Sequence, residues 1–310
     1  MLYGAIIGDV VGSRFEFNNY KKKDFDLFHY NCSYTDDTIM SIAIYDACRL
    51  IKKEGYEVYE QAEQFFINSM QTWGRNYPNP KGGYGNSFYY WLFNDNPKPY
   101  NSFGNGAAMR VSAVGWMFDT LEEVEKYAKW SAKPTHNHPE GIKGAQSVAG
   151  AIFLARTTHD KKKIKKYVES YGYKLKSCDF MRPGYQFDVT CQGTVPVAVE
   201  AFLESKSFED AIRLAISMGG DSDTIGAITG SIAEAYYGIP EELITECQKY
   251  LPEELLEKLK FESDYKADMW SYNKCAICIH KNCPNKDIIT KEKCLDFEKE
   301  PNVSIFEEYL

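Results

Sequence analysis

Apolar positions recur at helical spacing almost from end to end of this chain. Thr38 to Ile51 is apolar on nearly every side up to Cys48, which predicts a central, buried helix. Tyr56 to Trp73 follows as an amphipathic helix. GRNYPNPKGGYG, residues 74–85, is punctuated by Gly, Pro and Asn and reads as a loop. A short aromatic segment, SFYYWLF, precedes a second loop, NDNPKPYNSFGNG. Helical patterns resume over Ala107–Phe118, Leu121–Ser131, Gly141–Thr157, Lys161–Tyr171, Thr194–Glu204, Phe208–Ser217 and Thr224–Tyr237. Shorter ones cover Pro240–Lys249 and Pro252–Lys260. The opening MLYGAIIGDVVGSRFEF lacks a basic n-region and a small-residue cleavage site, so it predicts a buried helix rather than a signal peptide. Long alternating strand patterns are missing. The pattern predicts an all-α fold with its functional residues on the loops.

The periodicity fades near Glu262, and four of the nine cysteines lie beyond it. This divides the chain into a helical domain, 1–262, and a small Cys-rich appendage, 263–310. Cys275-x2-Cys278-x4-Cys283-x10-Cys294 has the ligand count of a zinc knuckle or an iron–sulfur cluster, with His280 as a substitute ligand. Zn²⁺ is preferred, because a structural knuckle would staple a segment that has no core of its own. Scattered buried thiols are the plain alternative.

Composition changes this picture little. A hydrophobic content of 44% and a charged content of 26% are ordinary for a globular protein of 310 residues. The net charge of −8 argues against a nonspecific nucleic-acid binder, though not against a nucleotide in a local pocket. No apolar run reaches the roughly 20 residues of a membrane span. The expectation is a cytoplasmic protein whose cysteines are reduced thiols or metal ligands.

The chemistry concentrates at two helix starts, Thr35-Asp36-Asp37-Thr38 and Asp221-Ser222-Asp223-Thr224. Ser, Thr and Asp are favoured N-caps, and carboxylates gain from the helix dipole, so capping alone explains either motif. A single cap needs one such residue, however, and each motif offers two acids with hydroxyls. If both motifs meet in space, two carboxylates ~5 Å apart repel by roughly 3 kcal/mol at an effective dielectric of 20. That outweighs the ~1 kcal/mol of a cap. Protonation or divalent cations must relieve it, and oxygen-only ligands suit Mg²⁺ or Mn²⁺ better than Zn²⁺. Gly226 and Gly230 in the helix after the second motif each cost ~1 kcal/mol against Ala, as expected where another backbone passes close by or where helices simply pack tightly.

Together with these motifs, MLYGAIIGDVVGSRFEF, GNGAAMRVSAVGW, THNHPEGIKGAQSVAGAIFLAR and ISMGGDSDTIGAITGSIAEAYYGIP resemble the ADP-ribosylglycohydrolase family, which includes the dinitrogenase-reductase-activating glycohydrolases. The resemblance runs in order from residue 1 to about 250 and does not reach the Cys-rich tail. It implies an all-α orthogonal helical bundle with two Mg²⁺ or Mn²⁺ ions at the bottom of a cleft. It implies hydrolysis of the bond between ADP-ribose and an acceptor, carried by a protein or a small molecule. By motif position, Thr35, Asp36, Asp37, Asp221, Asp223 and Thr224 are the implied metal ligands, and Asp36 and Asp223 are the candidates for a shared or water-linked role in catalysis. Glu16 is implied beside the metals, as a gate or as the group that positions or deprotonates water. Asp9 reads as structural, hydrogen-bonding the helix that carries the ligands.

Ser102, Gly104, Asn105 and Gly106 form a loop that opens a helix, a setting in which backbone N–H groups suit a pyrophosphate. The plain alternative is a Gly-rich turn with Asn105 as N-cap. His136 is a candidate contact for the diphosphate or a ribose, or a hydrogen-bonded neighbour of a cap, and His138 is a weaker candidate of the same kind. Tyr84 and Gly85 are expected in the cleft wall, with Tyr84 a possible adenine platform. Cys32 and Cys48 look structural. Two rival readings stand beside hydrolysis: a module that binds ADP-ribose without turnover, and a scaffold whose tail binds a partner.

Overall fold

The computed structural model describes residues 1–55 and 57–260. Its helices are α1 (Tyr3–Gly12), α2 (Asp36–Glu54), α3 (Tyr59–Asn76), α4 (Asn86–Leu92), α5 (Gly106–Met109), α6 (Ser112–Met117) and α7 (Leu121–Ala132). They continue as α8 (Pro139–Thr158), α9 (Lys161–Ser170), α10 (Cys178–Met181), α11 (Cys191–Glu204), α12 (Phe208–Ser217), α13 (Ser222–Tyr237) and α14 (Glu241–Gln248). A last helical stretch covers 253–260. Among the described residues there is no strand, only two isolated bridges, Thr35 with Lys81 and Gly104 with Thr190.

α13 is the axis of the bundle. It is buried without a break from Ser222 to Ala235 and packs against α1, α8, α11 and α12. Small residues make this possible. A Cβ on Gly8 would lie 2.0 Å from the Gly226 carbonyl oxygen, and one on Gly230 would lie 2.0 Å from that of Gly4. The passing backbone that the glycines of α13 call for is therefore α1, which answers with glycines at the same four-residue spacing. The contact sets Asp9 of α1 and Asp223 of α13 at a fixed separation and so builds the site.

The all-α reading holds. Tyr56, where the second helix was expected to begin, lies outside the described residues, and α3 starts at Tyr59. α3 also runs on to Asn76, so the first three residues of the expected loop are helical. The single helix expected over Ala107–Phe118 is two. The chain breaks at Arg110 and Val111, where ψ is 0° for both, and Arg110 turns its guanidinium inward to Ser131 and Thr135. The four-residue α10 has no apolar periodicity to announce it. Cys32, Cys48, Cys178, Cys191 and Cys247 are buried free thiols. Cys275, Cys278, His280, Cys283 and Cys294, with their proposed zinc or iron–sulfur site, lie outside the described residues. No helix among the described residues is long and apolar enough to cross a membrane.

Candidate metal centre

The two acidic helix starts converge on one cavity of about 660 Å³. Asp36, Asp37, Asp221, Asp223, Thr224 and Glu16 all line it. The Thr224 hydroxyl donates to Asp37 Oδ2 at 3.2 Å across 187 residues of chain. Oxygens of Glu16, Asp221 and Asp223 lie within 4.8 Å of one another. The convergence that the sequence motifs call for is therefore present, with Glu16 as a further member.

Each helix start is held by a different device. Asp9, fully buried on α1, accepts four hydrogen bonds, from the backbone N–H and the hydroxyl of both Thr35 and Thr38. It clamps the first turn of α2, as the sequence reading of Asp9 expects. Thr35 is the N-cap, its Oγ1 accepting from Asp37 N–H at 3.2 Å while donating to Asp9. Thr35 is absent from the cavity wall, and its hydroxyl is engaged on both sides. Thr35, expected as a metal ligand, thus also holds the helix on which Asp36 and Asp37 stand. Asp221 occupies the N-cap position of α13 but makes no side-chain cap. Its Oδ2 instead accepts from Asn105 Nδ2 at 2.6 Å, and the same amide reaches Thr194 Oγ1 at 3.1 Å. Asn105, expected as a ligand contact or a cap, makes no side-chain cap and fastens the second motif.

Electrostatics mark the cluster as strained. Burial, then repulsion from Asp223 and Asp9, holds the carboxyls of Asp36 and Asp37 well above the usual carboxylate range. Burial and Asp221 do the same to Asp223. Burial lifts Asp221 to about 6 against the pull of its Asp223 and Asn105 hydrogen bonds. Burial, Asp223 and Asp9 push Glu16 to about 8, with Lys81 opposing. Asp37 Oδ1 and Glu16 Oε2 are buried with no hydrogen-bond donor. Unsatisfied carboxylate oxygens in an all-oxygen set fit a hard divalent cation. Asp36, Asp37, Asp221, Asp223, Thr224 and Glu16 are the residues placed to hold one or two.

The walls are lashed together by backbone. Thr35 pairs with Lys81, which sets the 77–85 loop beside α2. Gly104 pairs with Thr190, backed by Asn105 N–H to the Val189 carbonyl at 2.7 Å and Cys191 N–H to the Phe103 carbonyl at 3.0 Å. Ser102, Gly104, Asn105, Gly106, Tyr84, Gly85 and His136 all line the cavity, as expected. The helix opened by the Gly104–Gly106 loop is only the four-residue α5, and the Gly104 and Asn105 N–H groups are already engaged, so neither a helix dipole nor those two donors serve an anion here. Ser102 Oγ already accepts the Gly104 N–H. Tyr84 packs its ring on Phe88 and donates its hydroxyl to the Tyr77 carbonyl. The exposed aromatic faces at the mouth are Phe17, Phe103 and Phe187, with Phe17 and Phe187 stacked 5.8 Å apart. His138 does not line the cavity, and its Nδ1 caps α8 at Glu140 N–H.

Three contributors escaped the sequence reading. Gly82, with φ +76°, has no Cβ where one would sit 2.7 Å from a Glu16 oxygen, so it makes room for that carboxylate. Phe187 meets Phe17 only through folding. Arg110, 1% exposed, is the only Lys or Arg in the cavity wall among the described residues. A lone cation inside the apolar run AAMRVSAVGWM was the available signal.

Comparison with known proteins gives the family and the fold. The model of the ADP-ribosylglycohydrolase family matches residues 1–269. The chain is 27% identical to ADP-ribosylhydrolase ARH3 of Homo sapiens, covering 82% of this chain and 90% of that protein. It is 26% identical to ADP-ribosylarginine hydrolase Tri1 of Pseudomonas putida (strain GB-1), covering 77% and 70%. A solved structure described as an ADP-ribosylglycohydrolase-related protein complex shares the fold, with a TM-score of 0.59 at 21% identity over 79% of this chain and 93% of that one. With the family model spanning the whole described region and both acidic motifs facing one cavity, this chain belongs to the ADP-ribosylglycohydrolase family.

Proposed function

We propose that this protein hydrolyses the glycosidic bond between ADP-ribose and an acceptor, either a protein side chain or a small ADP-ribosylated molecule. The observation that carries the reading is the meeting of Asp36–Asp37, Asp221–Thr224 and Glu16 around buried, unpaired carboxylate oxygens in one cavity. A cavity of about 660 Å³ lies in the range of small-molecule sites. The relatives named for hydrolysis of ADP-ribosyl bonds support the same class of substrate.

Asp36, Asp37, Asp221, Asp223 and Thr224 would hold two Mg²⁺ or Mn²⁺ ions. Such ions polarise ligand hydroxyls and water as Lewis acids. Glycosidic cleavage develops oxocarbenium character at the anomeric carbon, so the protein must seat the distal ribose and supply a proton relay. Glu16 is that relay. Its Oε2 is buried and free of protein donors, so it is available to a water or a substrate proton. Oxygens of Asp221 and Asp223 stand within 4.8 Å of Glu16. The Ser102–Gly106 loop and His136 line the same cavity, where the diphosphate would lie, and the aromatic mouth would receive the adenine.

A hydrolysis panel across arginine-, serine- and nucleobase-linked ADP-ribose, run with Mg²⁺ or with EDTA, tests the proposal. The wild type should release free ADP-ribose from at least one linkage only with the metal, and Asp221→Asn should slow release by about a hundredfold or more. Binding of ADP-ribose with no release from any linkage would instead identify a non-catalytic recognition module.

A further inference from the structure

The cavity wall contains a three-residue relay that the acidic centre does not account for. Arg110 donates through Nη2 to Thr135 Oγ1 at 2.8 Å and to the Ser131 carbonyl at 3.3 Å. Among the described residues no carboxylate lies within ion-pair distance of it, although Asp36 attracts it through space, and its Nε has no hydrogen-bond partner. Thr135 Oγ1 lies 2.7 Å from His136 Nδ1, and Thr135 is fully buried. The other ring nitrogen, Nε2, has no protein partner among the described residues. It faces the Gly104–Gly106 loop, where a Cβ on Gly106 would come within 3.0 Å of it.

Proton counting decides how this chain runs. A guanidinium can only donate, so Arg110 occupies a lone pair of Thr135 Oγ1. An oxygen already accepting from a cation is a poorer acceptor and a stronger donor. The threonine proton has two destinations, His136 Nδ1 at 2.7 Å or the Ala132 carbonyl at 3.5 Å; the second would let Nδ1–H donate to the remaining lone pair, but it is the longer and weaker bond, so the geometry favours the first. His136 Nδ1 is left as the acceptor.

We infer that Arg110 and Thr135 are positioning residues that lock His136 as the neutral Nε2–H tautomer, a hydrogen-bond donor aimed at an anionic group of the ligand held against the Gly104–Gly106 loop. The buried cation behind the ring also opposes a second proton on it, which burial already disfavours. The His136 side of the cavity thereby offers an anion a donor without bringing in a mobile lysine, and the permanent charge of Arg110 stands behind Thr135. The identification of the anion as the diphosphate of ADP-ribose rests on the proposed function. The tautomer itself does not.

The test is ¹⁵N NMR of the histidine rings in the full chain at neutral pH, with titration of ADP-ribose and, separately, of Mn²⁺. In the wild type, Nδ1 of His136 should carry no proton and Nε2 should carry one. Thr135→Val should disturb that tautomer and weaken ADP-ribose binding about tenfold, as for the loss of one donor to a charged acceptor. Its Mn²⁺ affinity should be unchanged. Thr135→Ser, which keeps the hydroxyl, should restore both tautomer and binding. A proton on Nδ1 in the wild type overturns the inference whether or not the protein is a hydrolase. So does a Thr135→Val variant that binds ADP-ribose as well as the wild type. A wild type that shows the Nε2–H tautomer but binds no ADP-ribose would instead count against the proposed function alone. Equal losses of ADP-ribose and Mn²⁺ affinity in Thr135→Val, with a fallen Tm, would reduce Thr135 to a structural residue and overturn the relay.

Discussion

The starts of α2 and α13 look alike in sequence and are built differently. At α2 the backbone is satisfied first: Thr35 caps the helix, and Asp9 gathers four donors around the turn. At α13 the capping position is filled by Asp221, whose carboxylate turns away from the helix and is held by Asn105. One motif is anchored through the main chain by a buried acid, the other through a side-chain amide from the far wall. Both leave carboxylate oxygens facing the cavity. The same short acidic pattern can thus be organised by fold stability on one side and by the ligand wall on the other, and mutations should separate the two.

The largest effect is expected where the halves meet. Asp37→Asn or Asp223→Asn should lower kcat at least about a thousandfold, some 4 kcal/mol of transition-state stabilisation. The variants should melt no lower than wild type in EDTA, because each removes a charge from a crowded, buried set. Steady-state rates and calorimetry check both halves of this expectation, and an unimpaired kcat would sink the metal-centre reading. Next comes the seam that sets the halves at their spacing. Gly226→Ala places a methyl against the Gly8 carbonyl, 2.4 Å away, and should cost about 3 kcal/mol in denaturant unfolding with a parallel loss of Mn²⁺ affinity. A Gly226→Ala protein as stable as wild type would mean that α1 and α13 are not in backbone contact.

Asp9→Asn and Asn105→Ala then sharpen the contrast. Asp9→Asn replaces an acceptor of four hydrogen bonds and should cost about 2 kcal/mol of stability. Asn105→Ala should leave stability within about 1 kcal/mol of wild type but weaken Mn²⁺ binding roughly 10- to 100-fold. If the two variants behave alike, the distinction between the helix starts is wrong.

The smallest effect is a pH trend. The pKa of Glu16 is about 8 and that of Asp221 about 6 in the folded protein, against the ordinary 4.5 and 3.8 of the unfolded chain. Between those limits the folded state binds more protons than the unfolded one. Their contribution to stability is therefore present at low pH and lost as pH rises through about 6 and then about 8. In EDTA, Tm should fall between pH 5 and 8, and saturating Mg²⁺ or Mn²⁺ should flatten or reverse that trend. Identical profiles with and without the ions would argue against a cation at the cluster.

Much of this molecule was legible from spacing alone. α12 begins and ends where its apolar period predicts, at Phe208 and Ser217, and the glycines of α13 announced a close backbone neighbour. The expectation of a single helix over Ala107–Phe118 failed because periodicity cannot see that a buried Arg110 needs carbonyl and hydroxyl acceptors supplied by α7 and the turn after it. Asn105 looked like a cap because Asn before a helix usually is one. Its Nδ2 donates to Asp221, an acceptor 116 residues away, and its Oδ1 makes no cap, because the tertiary bond fixes how the side chain is turned.

The sequence by itself determined which segments are helical and which residue types stand at their ends, because apolar period and capping chemistry are set by neighbours a few positions apart. Only the tertiary structure decided which of those acids are ligand candidates and which are clamps. It turned Thr35 and Asp9 inward, brought Thr224 to Asp37, and set Arg110 behind His136. Those assignments depend on which donor or charge arrives from distant chain, and packing of α1 on α13 fixes that at sub-ångström tolerance where local propensity is silent.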